Sequence, residues 1–118
     1  MIKGIGLDLL ELERIEENVR KGDRLAKRVL TEREMAMYQD MSERRKIEFL
    51  AGRFAAKEAF SKAVGTGIGK EIGFHDIEIL PNEIGAPHLT AKGFSSASIF
   101  LSITHTEYYA AAQVVIEQ

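Results

Sequence analysis

The chain has no cysteine and no tryptophan, only two prolines, and no apolar run that approaches the length of a membrane span. Lacking cysteine, it has no disulfides, no thiolate zinc site and no cysteine nucleophile, so any metal is held by oxygen or imidazole. The scarcity of proline, with no low-complexity stretch, argues against a linker or a disordered tail. A membrane span needs roughly 18 to 20 consecutive apolar residues, and at the N-terminus Asp8 interrupts the apolar start before a signal-peptide core develops. Charge of one sign is also missing. Sixteen Lys and Arg stand against eighteen Asp and Glu, a net charge of −2, which argues against a nucleic-acid coat or a polybasic membrane binder. The expectation is a cytoplasmic protein with neither nucleic acid nor membrane as partner.

What is present is the composition of an ordinary globular chain: 118 residues, 45% hydrophobic and 29% charged. That length is about the modal size of one domain and supports one core, but leaves little room for a deep pocket. No repeat occurs at solenoid periods. Ile2 to Leu10 reads as a strand, with Ile2, Gly4, Gly6, Asp8 and Leu10 on one face, so that Asp8 follows two positions without side chains and has open space beside it. Glu11 to Arg20 has helical spacing, ended by Gly22-Asp23 ahead of a basic segment, Arg24 to Arg28. Thr31 and Glu34 fit a capping box for a helix running to about Gln39, and Ser42 begins a long helix to about Val64. Asp76 to Leu80 and Pro87 to Ala91 form a hairpin pattern. Ser98 to His105 and Tyr108 to Ile116 read as two further strands, the second so rich in Ala and Val that burial on both faces is expected. Helices in the first half and strands in the second, after one initial strand, predict an α+β fold.

The long helix carries the main anomaly. At about 100° per residue, Ile47, Leu50, Ala51 and Phe54 form an apolar stripe that continues into Glu58, Ser61 and Lys62, while Phe49, Ala56, Phe60 and Ala63 make the opposite side apolar too. Such a helix is central and largely buried. Glu58 and Lys62 are spaced i and i+4, and the ordinary reading is a helix ion pair contributing about 0.2 to 0.5 kcal/mol. The apolar context, and a second acid at Asp8, point instead to chemistry. A hard divalent cation such as magnesium is held by one or two carboxylates and completes its shell with water and substrate phosphate. Lys62 then places positive charge where a phosphate leaving group carries negative charge.

Gly65-Thr66-Gly67-Ile68-Gly69 follows the helix. Gly65 is placed to cap it in the left-handed conformation, and the surplus of glycine suits a backbone that approaches a ligand closely. His105, at the end of a strand on the parity of Ile99, Leu101 and Ile103, is ordinarily a satisfied core or turn histidine. His75 and His88 read as structural.

Gly4-Ile5-Gly6-Leu7-Asp8-Leu9 with Glu11 and Arg14-Ile15 is the first of three stretches in a familiar order. The second is Arg53-Phe54-Ala55-Ala56-Lys57-Glu58-Ala59-Phe60-Ser61-Lys62-Ala63 with Gly65-Thr66-Gly67, and the third is Ser102-Ile103-Thr104-His105 with Tyr109-Ala110. Together they resemble the bacterial holo-acyl-carrier-protein synthase family of 4′-phosphopantetheinyl transferases over nearly the whole chain.

The resemblance implies magnesium-dependent transfer of the phosphopantetheine arm of coenzyme A to a serine of apo acyl carrier protein, releasing adenosine 3′,5′-bisphosphate, with manganese as an alternative metal. It implies Asp8 and Glu58 as metal ligands and Lys62 as the phosphate contact, these three being the catalytic set, with a carboxylate or a water it orients as base. It implies a homotrimer with sites between subunits, which would relieve the shortage of room for a pocket. Coenzyme A would be bound by Arg45, Arg53, Gly65, Thr66, Gly67, Gly85, Pro87 and His105. The acidic carrier would dock on Arg14, Lys21, Arg24 and Arg28, which otherwise read as a solvated helix face. Asn18, where an apolar contact is familiar, the break at Gly22-Asp23, and Thr104 in place of a frequent serine depart from the family pattern. The rival readings are a metal-dependent phosphodiesterase, disfavoured by the lack of an extended basic surface, and a non-enzymatic oligomeric nucleotide-binding protein.

Overall fold

The computed structural model describes all 118 residues. Strand β1 (Ile2–Glu11) is followed by helices α1 (Leu12–Lys21), α2 (Arg24–Val29), α3 (Glu32–Tyr38) and α4 (Glu43–Val64). A 3₁₀ turn at Phe74–Asp76 leads into β2 (Ile77–Pro81), β3 (Pro87–Ala91), β4 (Ser98–His105) and β5 (Tyr109–Glu117). The predicted α+β class and element order hold, and the basic segment after Gly22-Asp23 proves to be a short helix, α2. The sheet is three-stranded and antiparallel in the order β1-β5-β4, with β2 and β3 as a separate antiparallel hairpin.

Local signals set the helix ends. Thr31 Oγ1 accepts the Glu34 N–H at 3.3 Å while Glu34 Oε1 accepts the Thr31 N–H at 2.9 Å, a reciprocal cap. Ser42 Oγ accepts the Arg45 N–H and starts α4. Gly65, at φ 100°, ends it by donating its N–H to the Ser61 carbonyl at 3.0 Å, in the left-handed conformation that other residues adopt only at a cost.

Helix α4 is the centre of the molecule. Ile47, Phe49, Leu50, Ala51, Ala55, Ala56, Ala59, Phe60 and Ala63 are all buried, as its two-sided apolar pattern predicts. It crosses one face of the sheet obliquely, with Gly52 beside Ile103 of β4 and Ala59 and Ala63 against Gly6 and Gly4 of β1. The space expected beside Asp8 is therefore filled. A Cβ on Gly6 would lie 2.8 Å from the Ala59 carbonyl carbon and from the Ala63 nitrogen. The two glycines admit helix backbone, not a ligand.

Strand β5 departs from expectation in a related way. Ala110, Ala112, Val114 and Ile116 are buried beneath α4, but Tyr109, Gln113 and Glu117 on the other face are exposed. Ala111 and Val115, apolar on that outer face, hide the period of two that marks a half-buried strand. Nothing in the chain covers the outer face, where Ile5, Leu7, Leu9 and Phe100 are 62%, 62%, 66% and 56% exposed. Pairing puts Ile5, Val115 and Phe100 in one row across the sheet.

Candidate active site

Asp8 lies on the helix side of β1, opposite Ala112 of β5. The close approach that Gly4 and Gly6 permit brings the last turns of α4 over it. Lys62 Nζ reaches down to Asp8 Oδ1 at 2.9 Å and to the Leu7 carbonyl at 3.1 Å. The helix ion pair that is the ordinary reading of Glu58 and Lys62 does not form; the lysine pairs across elements with Asp8. An i, i+4 pair on a helix contributes only tenths of a kcal/mol, and Lys62 gains a carboxylate and a carbonyl together on β1.

Glu58, one turn before Lys62, is half-buried. Its pKa is pushed up, first by burial and then by the Asp8 charge, against the opposing pull of Lys62 and Arg28. Two carboxylates thus share one partly desolvated spot with one ammonium. No group of three or more Asp, Glu or His side chains converges anywhere in the chain, so a cation here would take two protein carboxylates and draw the rest of its shell from outside. Hard oxygen donors in that number suit a magnesium-like ion.

A second cluster occupies the other end of α4. Arg45, Arg53, Gly85, Pro87 and His105 line one pocket of about 270 Å³, together with Glu48 and Phe49. Arg53 lies 4.0 Å over the Phe49 ring and donates to the Ile79 carbonyl at 3.2 Å. Its buried Nε has no acceptor, and burial lowers its pKa. A guanidinium so held, one N–H unpaired, is suited to an anion. Glu48 accepts from Arg45 at 2.9 Å and Arg44 at 3.2 Å, with His105 Nδ1 at 3.9 Å. The Arg45 hydrogen bond is the main cause of its lowered pKa. The sequence reading missed Glu48, although its i+3 and i+4 spacing from two arginines was a signal.

The five residues expected for coenzyme A in this pocket do not meet Asp8 and Glu58. Glu58 is five residues beyond Arg53 on α4, about 140° around the helix. Gly65, Thr66 and Gly67 are further still. Their three N–H groups converge on the Ser61 carbonyl at 3.0, 3.2 and 3.2 Å, and Thr66 and Gly67 line a separate recess with Lys70 and Glu71.

A family model described as the 4′-phosphopantetheinyl transferase superfamily matches residues 4–114. The chain belongs to that superfamily. Proteins named holo-acyl-carrier-protein synthase from Listeria monocytogenes and Bacillus subtilis are each 56% identical to it, the first over 99% of both chains, the second over 100% of this chain and 98% of its own. Among solved structures, a synthase from Bacillus anthracis in complex with coenzyme A (3′,5′-ADP) superposes with a TM-score of 0.90 at 48% identity, covering 100% of this chain and 98% of that one. A Helicobacter pylori synthase in complex with coenzyme A gives 0.83 at 36%, covering 96% and 99%.

On this transferase chain the basic residues Arg14, Lys21, Arg24 and Arg28 are all exposed on α1 and α2. Arg28 stands 5.8 Å over the Phe74 ring, and its charge reaches Glu58, so the basic surface borders the acids. Asn18 spends its amide on the Arg14 carbonyl at 2.8 Å. His75 bonds the Lys27 carbonyl, in the structural role expected of it. The sequence reading took Glu34 only as half of a capping box and Lys57 only as part of the second stretch; both are fully buried.

Proposed function

We propose that residues 1–118 act as one transferase domain that moves the 4′-phosphopantetheine group of coenzyme A onto a serine of apo acyl carrier protein. The observation that carries this reading is full-length identity of 56% to holo-acyl-carrier-protein synthases, with an acid pair and a lysine brought together by β1 and α4. The serine oxygen forms a bond to the phosphorus that bears the pantetheine arm. The bond from that phosphorus to the bridging oxygen breaks, and adenosine 3′,5′-bisphosphate leaves.

Asp8 and Glu58 would hold magnesium, which in this position neutralises and orients the pyrophosphate. The raised pKa of Glu58 beside Asp8 supports that assignment, because two crowded carboxylates are what a divalent cation relieves. Lys62, half exposed, sets its ammonium against the charge growing on the leaving phosphate. A carboxylate of the pair, or a water it orients, takes the serine proton. Arg45, Arg53 and His105 bind the nucleotide phosphates beside the Gly85 to Pro87 turn, with Gly65, Thr66 and Gly67 a further coenzyme A contact at the far end of α4 through groups other than their N–H donors, which the Ser61 carbonyl holds. Arg14, Lys21, Arg24 and Arg28 receive the acidic carrier.

Within one chain the Arg53 pocket and the acids face apart, and an apolar sheet face is uncovered. Both observations support a homotrimer in which the pocket of one subunit meets the carboxylates of the next. The proposed reaction and its substrates support a cytoplasmic enzyme. No helix is long and apolar enough to cross a membrane. The test is to incubate the protein with coenzyme A, magnesium and apo acyl carrier protein and to weigh the carrier. A gain of one phosphopantetheine is expected, and no gain with an active carrier and a folded enzyme refutes the proposal.

A further inference from the structure

Lysine and glutamate are almost never fully buried unless paired, and Lys57 and Glu34 are each 0% exposed. Lys57 Nζ uses all three of its protons: to Glu34 Oε1 at 2.6 Å, to the Val29 carbonyl at 2.7 Å and to the Phe74 carbonyl at 3.1 Å. Glu34 is equally committed. Oε1 also accepts the Thr31 N–H, and Oε2 accepts the Ile79 N–H at 2.8 Å. One ion pair thus ties the last turn of α2, the start of α3, the 3₁₀ turn and β2 to the middle of α4.

Such a pair is a poor source of net stability, since desolvating both charges offsets most of their attraction and apolar residues of similar volume often do as well. What it fixes is geometry. Ile79, whose N–H donates to Glu34, accepts from Arg53 through its own carbonyl, so the same node sets the guanidinium in the nucleotide pocket. At its other end, the Val29 and Phe74 carbonyls held by Lys57 belong to the elements that carry Arg28 and the ring it stands over. Lys57 itself adjoins Glu58 in the chain.

We propose that Lys57 and Glu34 are a positioning pair for the transferase site, which orients Arg53 towards the nucleotide without touching either substrate. This rests on the function proposed above. Replacing both partners, Lys57→Met with Glu34→Gln, leaves no buried charge unpaired. The double variant is expected to unfold cooperatively but at a lower temperature, because the Val29 carbonyl loses its Lys57 donor, so its activity and binding are read where it is fully folded. Its kcat is expected to fall by about tenfold or more, because a misplacement of about 1 Å can cost on the order of a hundredfold, and its Kd for adenosine 3′,5′-bisphosphate, by calorimetry, to rise about fivefold. In an Arg53→Leu background the same replacement should weaken nucleotide binding little further, since coupled residues are non-additive. Wild-type kcat and Kd in the double variant overturn the proposal, as does a loss of activity that only follows the unfolded fraction. If the double variant does not fold, Glu34→Gln alone keeps the shape and an acceptor for Lys57, and unchanged kcat and Kd there overturn it equally. A wild-type protein that transfers nothing refutes the transferase reading instead, while the nucleotide affinities still test the pair.

Discussion

Gly6→Ala inserts one methyl group where strand β1 meets helix α4. The added Cβ would lie 2.8 Å from two atoms of the helix backbone, and nearer still to the Ala59 carbonyl oxygen. Non-bonded carbons are comfortable at about 3.5 Å or more, so strand and helix must part by at least about 0.7 Å, and by more to clear the oxygen. The obstacle is backbone on both sides, so no rotamer change relieves it. Overpacking of this kind costs roughly 1 to 3 kcal/mol, and at about 4 °C per kcal/mol for a chain of this size the melting temperature should drop by about 4 to 12 °C. Lys62 reaches Asp8 across that same gap, and a displacement near 1 Å at a reacting centre costs on the order of a hundredfold in rate. Gly69→Ala is the control, since nothing lies within 4 Å of its Cβ position. Calorimetry and the carrier mass assay read both effects. A Gly6→Ala protein that melts within about 1 °C of the control and transfers at the wild-type rate would refute the claim that this contact places the acids.

Other expectations follow from the same geometry. Glu58 has a raised pKa, so the unfolded chain gives up this proton at lower pH than the folded one, and stability is lost as pH rises from the ordinary carboxylate value through the raised one. Glu58→Gln should therefore abolish transfer yet raise the melting temperature at pH 7, with the gain vanishing below about pH 4; an unchanged melting temperature at pH 7 argues against the crowding of Glu58 by burial and Asp8. Leu7→Asp or Phe100→Asp, on the uncovered sheet face, should shift the sedimenting species from the proposed trimer to monomer and remove activity, and an unaltered oligomer would move the interface elsewhere. Arg24→Glu should raise the carrier KM several-fold at low salt with little change in kcat, since exposed charges steer association; an insensitive KM would exclude α2 from docking.

Much of the architecture was legible because its signals are local. Thr31, Ser42 and Gly65 cap their helices in the manner their types and spacings imply, and the three sequence stretches that carry the family resemblance are contiguous. What was hidden depends on neighbours distant in sequence. Gly4 and Gly6 looked like room for a ligand, and only the arrival of Ala59 and Ala63 shows what the room is for. Lys62 looked like a partner for Glu58, the acid one turn away, whereas its actual partner is more than fifty residues upstream. Glu34 read as half of a capping box, which it is, and nothing local disclosed that its carboxylate also neutralises a buried lysine.

The pairing of β1 with β5 has a consequence for how the protein is made. Asp8 is held opposite Ala112, so the strand that bears it leaves the ribosome about a hundred residues before the strand that completes its ladder. Until then Ile2, Ile5, Leu7, Leu9 and Leu10 wait with open backbone groups on an apolar segment, a species prone to wrong pairings. Contacts this distant in sequence also form slowly. Asp8 therefore takes its place in a sheet late in synthesis, and a nascent chain that stalls before β5 has the sequence of the first motif but no β5 to pair with it.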